Sequence, residues 1–140
     1  MKPVVEFDRV SVVFGDRKAE ALALMDQGLS REEIKARSGA VVGVHDVSLT
    51  VHEGEILVLM GLSGSGKSTL LRAVNGLLPV ARGEVRLRHQ GKMHPVSRAT
   101  GGDLRAIRRE SVSMVFQPFG LLPWRSVTEN VAFGLELAGL

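Results

Sequence analysis

The chain reads as an α/β fold with a parallel sheet. Three observations lead there: a short apolar run at residues 55–60 (EILVLM), a glycine-rich stretch directly after it, and a segment of helical spacing that follows in turn, with a further strand pattern at 83–88. A strand, a tight loop, a helix and a later strand, in that order, make the unit from which parallel sheets are built. A length of 140 residues suits one domain around one apolar core. With 44% apolar and 24% charged residues, the composition is that of a chain that folds.

Residues 4–14 (VVEFDRVSVVF) are rich in Val and Phe with polar residues interspersed, the pattern of a partly exposed strand or a hairpin pair. Asp16 can cap a first helix that runs through Gln27, with Gly28 as its left-handed exit. Ser30 and Glu33 have the capping-box spacing for a second helix, Leu29 and Ile34 are placed as its hydrophobic staple, and Gly39 ends it. Residues 41–51 return to a strand pattern, 52–54 (HEG) read as a turn, and 55–60 as a fully buried strand. Leu70, Leu71 and Val74 give residues 67–75 helical spacing, closed by Gly76 and Pro79. Residues 83–88 (GEVRLR) alternate like a strand. The segment 89–102 holds Gly, Pro, Ser and Thr and reads as a loop. Residues 103–110 (DLRAIRRE) read as a short helix capped by Asp103, and 112–116 as a last strand. No repeat or low-complexity tract is present.

The formal net charge of +3 comes without a block of Lys or Arg, so the charge pattern selects neither nucleic acid nor a bare membrane surface. Cysteine is absent, which removes disulfides and thiolate chemistry and is compatible with a reducing compartment. No apolar run reaches the roughly 18–20 residues of a membrane helix, and Glu6 and Asp8 stand where a signal peptide is apolar. The chain is therefore expected neither to be exported nor to span a membrane. His45, His52, His89 and His94 are scattered, with no spacing that makes a metal cage.

Gly61-Leu62-Ser63-Gly64-Ser65-Gly66-Lys67-Ser68 satisfies the pattern G-x-x-x-x-G-K-[ST] at the junction between a strand pattern and a helix pattern. The glycines let successive backbone N–H groups turn inward without a Cβ in the way, and the helix dipole adds partial positive charge at the same place. Polyphosphate is the guest this chemistry takes. Lys67 is placed to reach the β and γ phosphates, the Ser68 hydroxyl to ligate Mg²⁺, and Thr69 to lie close to the α phosphate. Kinases, GTPases, helicases and transporters all carry such a loop, so the loop by itself does not choose among them.

The stretch LMGLSGSGKSTLLRAVNGLLPVARGEV, residues 59–85, resembles the first half of an ABC transporter ATPase. The resemblance implies a P-loop NTPase, a partial ABC ATPase domain with a parallel core sheet and an antiparallel β subdomain, and it implies ATP and Mg²⁺ as cofactors. Gln117, in VFQP, matches the glutamine of the family's Q-loop, which meets the Mg²⁺ and the attacking water and senses the membrane partner. By its own chemistry an amide after a strand can orient water, complete a metal shell or simply be solvated. Phe14, before Gly15, resembles the aromatic that stacks on adenine, where the family more often has Tyr; a phenylalanine ending a strand also serves as plain core. Lys67 and Gln117 are thus the candidate catalytic residues, Ser68 and Gln117 the candidate Mg²⁺ ligands, and Phe14 with residues 61–69 the candidate nucleotide contacts.

Residues 16–40 depart from the family, which crosses this gap in a short loop. The text EALALMDQGLSREEIKARSG, followed by VVGVHDVSLTVHEGEI, and later FGLLPWRSVTENVAFGLELAGL, resembles the ATPase subunits of quaternary-amine importers, those for glycine betaine, choline and proline. The plain alternative for the insert is a surface helical hairpin whose Arg31, Glu32, Lys35 and Arg37 are solvated. Residues 117–125 would be the Q-loop and the start of a helical subdomain, and 118–125 would receive the coupling helix of a permease, with Phe119, Leu121, Leu122 and Trp124 as apolar contacts. Trp124 serves equally as core.

The resemblance implies these partners: an integral-membrane permease, a second ATPase subunit in a homodimer, and a solute-binding protein indirectly, with no nucleic acid. The place implied is the cytoplasmic face of the inner membrane, held peripherally. No LSGGQ, no strand ending in Asp then Glu, and no switch His occur among the 140 residues. The chain is therefore expected to be the N-terminal part of one such domain, with phosphate-loop geometry and little turnover by itself. The rival readings are another P-loop enzyme, such as a small-molecule kinase, and a non-catalytic fragment that binds nucleotide or docks on a permease.

Overall fold

The computed structural model describes residues 1–117 and 120–140. They form two compact units, Met1–Ala99 and Thr100–Leu140. The first is built on a four-stranded sheet of β1 (Pro3–Phe14), β2 (Val41–His52), β3 (Arg82–His89) and β4 (Lys92–Pro95), in the order β2-β1-β3-β4. Every pairing in it is antiparallel. Central β1 places Phe7 opposite Leu49 on one side and Val85 on the other.

The expected parallel pairing is not formed among the described residues. Residues 55–60 carry no ladder, and Ile56, Val58 and Met60 are 90%, 70% and 88% exposed. A buried parallel strand needs paired neighbours and cover on both faces, and no described strand runs alongside this one. Residues 112–116 are irregular for the same reason, with Val115 93% exposed.

Two helices fill residues 16–40. Helix α1 (Lys18–Asp26) starts after Arg17, which makes no side-chain cap, so Asp16 lies outside it and caps nothing. The Gly28 N–H donates to Met25 O and the Leu29 N–H to Leu24 O, the exit expected at this glycine. In α2 (Arg31–Ser38) the Ser30 Oγ accepts from the Glu33 N–H at 3.2 Å while Glu33 Oε2 accepts from the Ser30 N–H at 2.8 Å. Gly39, at φ +73°, is its left-handed C-cap. Arg31, Glu32, Lys35 and Arg37 are exposed, as the surface-hairpin reading has them, while the inner side of the pair is packed. Ala21, Leu24, Met25, Ile34 and Ala40 make a core with Val13 and Val42 of the sheet.

Helix α3 (Lys67–Val74) sends Leu70 and Ala73 into a second core with Phe7, Val10, Val12, Val44 and Val85. Successive residues of a strand address opposite sides of the sheet, and neighbours Val12 and Val13 enter different cores. Asp26 and Arg82 then join the insert to the start of β3 by a two-pronged ion pair of 2.7 and 2.9 Å.

The span read as a loop, 89–102, contains β4 and a short 3₁₀ turn, Val96–Arg98. His89 pairs with Lys92, and Gln90 and Gly91 between them have φ of +49° and +80°, a two-residue hairpin turn with both central residues left-handed. Four residues ending in Pro95 are too few to show alternation in the sequence. In the second unit α4 (Gly101–Glu110) begins after Thr100, which makes no side-chain cap, so Asp103 sits in the first turn and not at the cap. There its charge complements the helix dipole. Helix α5 (Val127–Leu137) opens on a Ser126–Glu129 capping box. Among the described residues no helix is long and apolar enough to cross a membrane.

Candidate functional site

Helix α3 starts at Lys67, and its N-cap, Gly66, has φ +98° and no side chain to cap with. The N–H groups of the first turn are therefore not claimed by a capping side chain, and they carry the positive end of the helix dipole. The loop in front folds on itself: the Ser65 N–H donates to Leu62 O at 3.2 Å, and a Cβ on Gly61 would stand 2.8 Å from Ser65 Oγ. Lys67 Nζ arches over it, donating to Gly61 O at 2.8 Å, Leu62 O at 2.7 Å and Ser65 Oγ at 3.2 Å. Thus the ammonium group sits at the mouth of the loop. Leu62, Ser63, Gly64, Ser65 and Ser68 are exposed, as a loop that receives a solute from water requires.

Glycine at 66 is obligatory twice. Its left-handed backbone suits no side chain, and a Cβ there would run into the Gly43 carbonyl oxygen of β2. Gly43 is tight from its other side as well: a Cβ on it would lie 2.6 Å from Phe14 Cε2 and 3.2 Å from Thr69 Cγ2. Phe14, paired with Val41 at the end of β1, is 39% exposed. Phe14, Gly66 and Thr69 are thereby gathered around one point of β2, and Lys67 follows Gly66 at the start of α3. Sequence reasoning named all four but missed Gly43; its signal was a glycine inside a strand pattern, which marks a close backbone approach.

Gln117 lies at an exposed bend in the second unit. Pro118 and Phe119, expected in the docking segment, fall outside the described residues. Leu121 and Trp124 are exposed and Leu122 half-buried, so Trp124 is not core. The turn that carries them is held from α5 by Asn130, a residue the sequence reading passed over. Its Oδ1 accepts from the Leu122 N–H at 2.8 Å, and its Nδ2 donates to Leu122 O, Arg125 O and Ser126 O at 3.1, 3.2 and 2.9 Å. Arg125 donates to both Glu136 oxygens, at 2.6 and 3.3 Å, and stacks 4.9 Å above the Phe133 ring. A shallow cleft of about 360 Å³, lined mainly by Leu121, Pro123, Val127 and Val131, opens on this turn. Among the described residues no group of three or more His, Asp or Glu could hold a metal ion.

Comparison with known proteins adds the family. The chain is 42% identical over 97% of its length to the glycine betaine/proline betaine transport system ATP-binding protein ProV of Escherichia coli (strain K12), and spans 33% of that protein. It is 43% identical, again over 97% of its length, to the glycine betaine/carnitine transport ATP-binding protein GbuA of Listeria monocytogenes, and spans 33% of it. The chain thus covers about a third of the curated relatives it matches. Among solved structures it resembles the cassette MJ0796, seen as a dimer in a post-hydrolysis state with ADP and Pi, with TM-score 0.68 and 27% identity over 94% of this chain and 47% of that one. A second dimeric structure of the same cassette gives a TM-score of 0.70. The fold is part of that α/β, P-loop cassette. Since residues 44–138, well over half of the chain, match the family model described as ABC transporter, the chain belongs to that family.

Proposed function

We propose that this chain is the nucleotide-binding part of the ATPase subunit of an importer for quaternary ammonium compounds of the glycine betaine, choline and proline class. The observation that carries the reading is the loop at residues 61–68 with the Lys67 ammonium group at its mouth, set before the uncapped start of α3. A triphosphate would take the place of the carbonyls that Lys67 now contacts and accept the first-turn N–H groups. A hydroxyl from Ser68 and an amide oxygen from Gln117 are the hard oxygen donors Mg²⁺ prefers, and Thr69 follows on the same turn for the α phosphate. Phe14 would offer its exposed face to adenine. The relatives' names, which speak of glycine betaine, proline betaine and carnitine, support the class of solute.

On this reading the subunit pairs with a second copy, docks on a permease through the turn around Leu121 and Trp124, serves a solute-binding protein indirectly, and lies peripherally at the cytoplasmic face of the inner membrane. The dimeric cassettes support the pairing.

Binding is the readout that tests these residues directly. Calorimetry of the folded chain with MgATP should show one-site association, and K67A should weaken it by about 10- to 100-fold, the loss of a charge-assisted contact of about 1.5–3 kcal/mol. Equal binding by K67A, or none by the native chain, would rule the reading out.

A further inference from the structure

We propose that Gly43 is a positioning residue for the nucleotide base: its bare Cα is the seat that holds the Phe14 ring beside the phosphate loop. The inference rests on the nucleotide reading above and assigns a role to a residue outside the loop motif.

Gly43 lies in β2, and its φ is not in the left-handed region. Backbone conformation therefore does not require glycine here. What requires it is the space over its Cα. The Phe14 ring lies across it, so that an added Cβ would stand 2.6 Å from Cε2, far inside any real carbon contact. The Thr69 methyl would be 3.2 Å from the same added Cβ, so the space over Gly43 is tight from α3 as well. The Gly43 carbonyl meanwhile abuts Gly66, so β2 cannot back away from the ring without moving the loop's last glycine. Three contacts converge on one residue: the ring in front, the helix turn beside it, the loop behind.

Of the three, only the ring has somewhere to go. Phe14 closes β1, is followed by Gly15, and is 39% exposed, so a methyl on residue 43 would swing the ring outward instead of unfolding the sheet. A stacked base is held by the position and tilt of the aromatic face. Moving the ring would weaken recognition of the base and leave recognition of the phosphates intact, because Lys67 and the α3 N-terminus do not depend on Phe14.

The test compares two ligands on the full chain by calorimetry, MgATP and magnesium tripolyphosphate, the second lacking base and sugar. G43A is expected to weaken ATP by roughly 5- to 20-fold, the size of a lost base–aromatic stack, and to leave tripolyphosphate unchanged. F14A should do the same, and G43A/F14A should be no worse than F14A alone, since the two changes act through one ring. If G43A is too unstable to assay, the double variant carries the test, because the 2.6 Å clash with the ring is gone and only the milder 3.2 Å contact with the Thr69 methyl remains; binding of ATP weaker than that of F14A would overturn the proposal. Equal losses for both ligands in G43A would also overturn it, by making Gly43 a support of the loop, and so would unchanged ATP binding. If the native chain binds neither ligand, the phosphate-loop reading falls first and this proposal with it.

Discussion

Gly66 and Asn130 show how much single residues carry. Gly66 combines a φ of +98° with a carbonyl oxygen at the place where a Cβ would go. G66A is expected to cost roughly 1–3 kcal/mol in backbone strain and to displace the Lys67 turn, so urea unfolding and MgATP calorimetry should both register it. G64A is the contrast: Gly64 has φ +80° but nothing within 4 Å of an added Cβ. It carries the backbone term without the collision and should lose less of both. Asn130 satisfies four backbone groups of the turn between Leu122 and Ser126. Trp124 is the single tryptophan of the chain and sits on that turn, so its fluorescence reports the turn alone. N130A should leave several polar groups without their partner, loosen the turn, and lower Trp124 anisotropy while the helical circular dichroism signal stays. Unchanged anisotropy would mean that the turn holds itself.

At the scale of elements, two helices open on the same device. Ser30 with Glu33 and Ser126 with Glu129 each satisfy two N–H groups that the helix leaves open. S30A should cost about 1 kcal/mol, read as a lower urea midpoint. The Ser30–Glu33 box was legible in the sequence because both partners sit three residues apart and nothing distant is needed; the Ser126–Glu129 box has the same spacing and was missed. Both boxes also set an acid sensitivity. The Glu33 and Glu129 carboxyls are held below their ordinary value of 4.5, chiefly by the backbone N–H of Ser30 and of Ser126. Asp26 is lowered by its hydrogen bonds from Arg82, and Glu136 by those from Arg125. A carboxyl that binds its proton less readily when folded stabilises the fold above its unfolded pKa, and this stability is lost as pH falls through the lowered folded value. Stability should therefore be flat near neutrality and decline as pH drops through 4.5 and below. E33Q, which keeps the box and removes the titration, should flatten part of that decline in urea midpoints measured against pH.

For the molecule as a whole, the decisive contrast is between two apolar segments. Residues 4–14 and 41–51 were read as strands, and β1 and β2 cover them, because each finds an antiparallel neighbour within the first unit. Residues 55–60 are as apolar and form no strand, with Ile56, Val58 and Met60 open to water. Such a run is a ready site for association. Light scattering should show concentration-dependent self-association of the chain, reduced in an I56S/V58S/M60S variant; equal scattering by the two would show that the run is not the cause. The helices of the insert, α3 and the composition of the phosphate loop could be read from residues close in sequence, since capping, helical spacing and glycine freedom act over a few positions. Phe14, Gly66, Lys67 and Thr69 were likewise nameable from motif and resemblance. That Phe14, Gly66 and Thr69 meet around Gly43, that the insert shares a core with Val13 and Val42 of the sheet, that Asp26 holds Arg82, and that an apolar run stays outside the sheet were decided only in three dimensions. Strand pairing and close packing join residues tens of positions apart, and the free energy of an apolar segment depends on whether a partner surface lies beside it, which no local pattern records.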